Sequence, residues 1–114
     1  MKKDIEKKLK KFKSEGVKRI KLGLTDIDGV LRGKYISLDK FASVIQETGG
    51  FCDCTLGWDV NDELYDNAAL TGWHTGFPDA LFQLDMSTER RIPDENNVPF
   101  FLGEYLKNKK KNPI

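Results

Sequence analysis

Long apolar runs are missing from the sequence, and nothing in it approaches the ~20 consecutive apolar residues of a membrane span. Its opening stretch, residues 1–13, is too charged for a secretory leader. Both absences predict a cytoplasmic protein without a membrane partner. Cysteine is scarce: Cys52 and Cys54 are the only two. Separated by one residue on an extended segment, they face the same way, and joining them would strain a disulfide. They read as reduced thiols, and no further cysteines exist to complete a Cys-rich zinc site. Histidine is scarcer still, because His74 stands alone. A His-rich metal centre is thereby excluded, and a loop histidine that packs or caps is expected. There is no glycine-rich phosphate loop, and Gly49-Gly50 reads as a helix stop.

What remains is an ordinary globular composition, 39% hydrophobic and 32% charged, in 114 residues that suit one compact domain. The net charge of +1 conceals a segregation: residues 1–21 carry +7, residues 22–106 carry −10 and residues 107–114 carry +4. A nucleic-acid partner needs a basic face on the folded body, and this body is acidic. The lysine-rich ends read as solvated segments.

Along the chain, Ile5, Leu9 and Phe12 recur at helical spacing within 3–15, and Gly16 supplies a stop. The narrow apolar stripe predicts docking on the chain's own domain rather than on a membrane surface. Residues 17–24 alternate as a strand with Ile20, Leu22 and Leu24 facing the core. Asp28-Gly29 signals a turn into a second strand over 30–38. Asp26 and Asp28 flank that turn and read as turn formers rather than a carboxylate pair. Ser37 to Asp39 offer caps for a helix carrying Phe41, Val44 and Ile45. Residues 51–56 read as a third strand, and 58–76, polar and aromatic, as a long functional loop. Strands are expected over 81–86 and 98–105, with 90–92 extended and Pro99 pushing the last strand to an edge. Together these predict an α+β fold, a β-grasp-like mixed sheet with one packed helix plus an N-terminal amphipathic helix. The expected organisation is that helix over 1–16, the domain over 17–106 and a basic tail over 107–114.

Four stretches, in order, resemble the glutamine synthetase family. Thr25-Asp26-Ile27-Asp28-Gly29-Val30-Leu31-Arg32-Gly33-Lys34 is similar to the hairpin opening that family's amino-terminal domain, especially in branches that ligate glutamate to amines other than ammonia. Gly50-Phe51-Cys52-Asp53, followed by Gly57-Trp58, resembles the family's Phe-Asp-Gly-Ser-Ser loop ahead of a Gly-Trp pair. Gly72-Trp73-His74-Thr75-Gly76-Phe77-Pro78-Asp79 comes third, and Leu84-Asp85-Met86-Ser87-Thr88 with Arg91-Ile92-Pro93 comes last.

The resemblance implies a domain that closes the active site of a neighbouring subunit in an oligomer. Asp53 matches the family's acidic residue, which binds the amine nucleophile and takes its proton, and carboxylate chemistry suits that task. Trp73, or alternatively Trp58, matches the pocket aromatic, and Thr55 stands among the loop's substrate contacts. Cys54-Thr55 replace the Gly-Ser-Ser of ammonia-using members, which favours a bulkier amine. Asp59, Asp62, Glu63 and Asp66 suit a polyamine cation or a solvated loop. Arg32-Gly33-Lys34 divides between an anion site and exposed strand charges. No cofactor or metal site is expected in this chain; ATP and Mg or Mn are implied for a catalytic domain expected to be absent. A split gene, a separately encoded catalytic partner and an excised domain all remain open for its absence. The implied reaction joins the glutamate side-chain carboxylate to ammonia or an amine. The rival readings are a stand-alone β-grasp binding or regulatory module and a remnant without catalysis.

Overall fold

The computed structural model describes residues 2–46, 49–52, 56, 61 and 79–106. Helix α1 (Lys2–Ser14) leads into strands β1 (Arg19–Thr25) and β2 (Leu31–Ser37), then helix α2 (Leu38–Gln46) and strand β3 (Gly49–Cys52). Strands β4 (Asp79–Ile92) and β5 (Val98–Tyr105) complete it. The five strands form one sheet in the order β2-β1-β5-β4-β3. β1 and β5 pair in parallel and every other pairing is antiparallel. This is the α+β class the sequence predicted.

Both helices lie on one face of the sheet, and their caps explain their limits. Gly16 takes a left-handed φ of 75°, and its amide donates to the Lys13 carbonyl while that of Val17 donates to the Phe12 carbonyl. That pair of bonds is a Schellman stop, and Val17 packs against the cluster that holds Phe12. At α2 the Ser37 hydroxyl accepts the Lys40 amide at 3.0 Å, an N-cap. The apolar stripe of α1 docks on its own domain: Phe12 is fully buried, 6.0 Å from Phe41, which stands 5.1 Å from Phe101. Ile20 and Leu38 join this cluster. A second cluster, Leu22, Leu24, Val44, Phe82 and Tyr105, continues along the sheet. Ile20, Leu22 and Leu24 therefore face inward as their alternation indicated.

Several local readings need correction. Gly49 and Gly50 are not a helix stop but open β3, which spans Gly49–Cys52 rather than 51–56. The reason for glycine is spatial: a Cβ on Gly49 would lie 2.5 Å from two carbons of the Phe82 ring. Pro99 does not place β5 at an edge, since β5 is the central strand. Pro99 pairs with Arg91 of β4 and precedes Phe100, where pairing to β1 begins, so its missing donor interrupts no bond to β1.

Residues 90–92 are extended as expected, within a longer strand. They end β4 beyond an irregularity between Asp85 and Arg90. Asp85 shapes it by accepting the Ser87 amide and hydroxyl at 3.0 and 2.6 Å. Thr88 donates its hydroxyl to the Asp85 carbonyl and accepts the Leu102 amide. Pro93 then opens a 3-10 turn, Pro93–Glu95, with Asn96 and Asn97 left-handed.

Candidate functional site

Strand direction gathers distant pieces of sequence at one end of the sheet. The ends of β1 and β5, the start of β4 and the end of β3 lie together there, because β4 runs against both β5 and β3. The tip joining β1 to β2 belongs to the same end. Residues 53–78 leave the sheet at Cys52 and rejoin it at Asp79, and those two residues are register partners. The roots of the expected functional stretch are thus adjacent and at the same end of the sheet as the hairpin tip.

The tip is organised by Asp26, which is 4% exposed. One carboxylate oxygen accepts the amides of Asp28 and Val30, both at 2.9 Å, and the other accepts Arg32 Nε at 3.0 Å. Burial pushes this carboxyl upward, but the bonds from the Val30 amide, the Arg32 side chain and the Asp28 amide, with the Arg32 charge, outweigh it. The net result is a pKa below the ordinary carboxylate value. Asp26 is accordingly a turn former, as its flanking position suggested, and Ile27, Val30 and Leu31 stand exposed around it.

Lys34 is the second feature. It pairs with Leu22, so it points to the helix side of the sheet. Its ammonium donates to the Gly50 carbonyl at 2.9 Å and lies 5.2 Å from the Phe51 ring centre and 5.8 Å from that of Phe82. Phe51 meets Phe82 and Tyr105 edge-on, each at 6.4 Å, and half-buried Leu56 packs on the same cluster. Of the Arg32-Gly33-Lys34 stretch, Arg32 is half-buried and Lys34 is an exposed strand charge that also makes a directed contact. Arg32 holds Asp26, and Lys34 spans from one edge strand to the other. Period-two alternation with Ile36 was the available signal for an inward Lys34, whereas its partner depended on the sheet's curl.

Asp53, Thr55, Trp58 and Trp73 lie outside the described residues, as do Cys54, His74, Asp59, Asp62, Glu63 and Asp66. Among the described residues no group of three or more His, Cys, Asp or Glu side chains could hold a metal ion. No described helix is long and apolar enough to cross a membrane. At the opposite end of the sheet, a depression of about 560 Å³ is lined by Arg91, Asn96 and Asn97. Arg91 is already tied there to Glu15 at 2.7 Å and to the Asn97 carbonyl.

A curled mixed sheet with both helices on one face and a long excursion between its third and fourth strands defines an α+β domain of β-grasp type. Solved structures share this fold. A complex of GmaS with ADP superposes with a TM-score of 0.63 at 16% identity, covering 92% of this chain and 21% of that one. A glutamine synthase homologue gives 0.65 at 19% identity, covering 86% and 23%.

No protein-family model matches the chain. In sequence, it is 48% identical over 87 residues to type-1 glutamine synthetase 2 of Dictyostelium discoideum, across 76% of this chain and 17% of that protein. It is 37% identical over 83 residues to glutamate–isopropylamine ligase of a Pseudomonas species, across 72% of this chain and 18% of that protein. The chain belongs to the glutamine synthetase family and corresponds to its amino-terminal domain. It spans less than a fifth of the length of these relatives.

Proposed function

We propose that the chain is the nucleophile-side domain of a glutamine-synthetase-type ATP-dependent ligase that joins glutamate to ammonia or an amine. Asp53 holds the protonated nucleophile and accepts its proton as the amine attacks, the role a carboxylate near an ammonium can fill. Trp73, or Trp58, walls the amine pocket and Thr55 adds a polar contact. The ATP and glutamate sites belong to a catalytic region, and the domain closes the site of a neighbouring subunit in a homo-oligomer.

The observation that carries this reading is the 48% identity over 87 residues to a glutamine synthetase. Adjacency of Cys52 and Asp79 supports it further, because both roots of the acidic stretch leave one rigid edge. The replacement of Gly-Ser-Ser by Cys54-Thr55, together with the likeness to a glutamate–isopropylamine ligase, favours an organic amine over ammonia. The test is ATP-dependent γ-glutamyl amide formation with this domain in its ligase, comparing ammonia with alkylamines and polyamines. Turnover that depends on the domain and prefers an organic amine is expected. Turnover indifferent to the domain contradicts the reading.

A further inference from the structure

Among the described residues, the exposed large hydrophobic side chains are Ile27, Val30, Leu31 and Tyr35, and all four stand on the β1–β2 hairpin. Single apolar side chains are ordinary on a surface, whereas a group of them marks an interaction site. Register places Leu31, Gly33 and Tyr35 opposite Thr25, Gly23 and Lys21, on the sheet face that carries no helix. There they border a trough of about 410 Å³ whose far side is Phe100 and Ile92. Gly23 lies between the walls: a Cβ on it would stand 3.1 Å from the Phe100 ring and 3.4 Å from Leu31. The trough runs beside an open edge, because β2 is a terminal strand of the sheet. The Asp26 amide donates to the Val30 carbonyl and the Leu38 amide to the Lys18 carbonyl. By alternation, the even-numbered residues of β2 bond inward to β1, and the amides and carbonyls of Leu31, Gly33 and Tyr35 point outward.

The charges beside the trough select the occupant. Arg19 lies 4.2 Å from the Tyr35 ring centre and has no carboxylate partner among the described residues. Lys21, on the same face, is already tied to Glu95. β2 itself carries Arg32 and Lys34 and no acid. A second copy added antiparallel along this edge would set the cations of both strands against one another, which destabilises a strand pair. An acidic strand meets the same edge with attraction instead. We propose that the β2 edge and its trough dock an extended segment of another protein, apolar at alternate positions and carrying a carboxylate. Its backbone continues the sheet on the outward groups of Leu31, Gly33 and Tyr35. Its apolar side chains cover Leu31 and Phe100, and its carboxylate meets Arg19. This surface uses none of the residues assigned above to amine handling.

The experiment titrates the 114-residue chain with the end-blocked peptide Glu-Thr-Val-Thr-Val-Thr-Glu, whose two acids serve either strand direction. Amide resonances and hydrogen exchange report the contact residue by residue. Shifts and slowed exchange are expected at the Leu31, Gly33 and Tyr35 amides, while the inward amides of Arg32 and Lys34 change little. Replacing both glutamates by lysine, or both valines by serine, should weaken binding. Leu31→Ser should weaken it by about tenfold, the scale of withdrawing most of a leucine from an apolar contact. Arg19→Gln should shrink the preference for the glutamate peptide over the lysine peptide. Arg19 is exposed, so that variant decides the matter even where Leu31→Ser lowers the urea midpoint. Unchanged β2 amides at millimolar peptide overturn the proposal, and so does equal binding of the lysine peptide. Shifts confined to the lysines of α1 overturn it as well, since they mark diffuse charge attraction. Sedimentation showing that the free chain dimerises with its outward β2 amides protected makes the occupant a second copy and overturns it too.

Discussion

The two ends of the sheet are built differently. Where β1 and β5 begin, α1 and α2 cover the sheet, and Phe12, Phe41 and Phe101 pack with Ile20 and Leu38 away from water. The charges there lie outside this cluster, in pairs such as Lys8 with Glu89 and Arg91 with Glu15, where they add little stability. Where β1 and β5 finish, the apolar cluster of Leu24, Phe82 and Tyr105 is joined by polar contacts directed largely at backbone atoms. Asp26 gathers two amides and Arg32, and Lys34 holds the Gly50 carbonyl. Apolar burial is nondirectional and supplies free energy, whereas hydrogen bonds to single backbone atoms fix position. Both ends bury apolar side chains, and the second adds directed contacts that orient the hairpin tip and β3.

The sharpest break in this comparison comes from the apolar end. Phe41→Ala should cost about 3–5 kcal/mol, the usual loss for emptying a buried aromatic site, read from urea unfolding of the purified chain. Gly49→Ala comes next. Its new methyl group meets the Phe82 ring, and overpacking of that kind costs about 1–3 kcal/mol. Pairing it with Phe82→Leu should give a double mutant less destabilised than the sum of the two singles, because the ring is the obstacle. Gly16→Ala should cost about 1–2 kcal/mol through backbone conformation alone, since nothing lies within 4 Å of a Cβ there and φ is +75°.

The last effect is read from a pH dependence. Asp26 has a lowered pKa in the folded protein, so its contribution is complete above the ordinary carboxylate value and is lost as pH falls through the folded value. Asp26→Asn should therefore lower stability near neutrality and flatten the acid limb, the gap from wild type closing as pH falls, measured by urea midpoints from pH 7 downward.

Much of the architecture was legible because local signals agreed with one another. The Ile5, Leu9 and Phe12 spacing, the Gly16 stop, the Ser37 cap and the alternation of Ile20, Leu22 and Leu24 each rest on neighbours within a few residues. Readings that depended on partners far along the chain went astray. Gly49 looked like punctuation after a helix, yet the Phe82 ring, brought in by strand pairing, is what demands glycine. Pro99 argued for an edge, but the parallel pairing of β1 with β5 begins one residue later and leaves the proline harmless at the centre. At the candidate site, the turn-forming role of Asp26 was readable from its position beside Asp28-Gly29. The reach of Lys34 to Gly50 was not, because no periodicity reports how far a sheet curls.

The most direct test of the central claim is the amine dependence of γ-glutamyl amide formation by the ligase containing Asp53→Asn. In that variant kcat/KM for the amine should be lower by about 100-fold, the scale of losing a positioned base, with the KM for glutamate unchanged and the fold intact. Wild-type amine kinetics in that folded variant would contradict the assignment of Asp53 and, with it, the role proposed for this end of the domain.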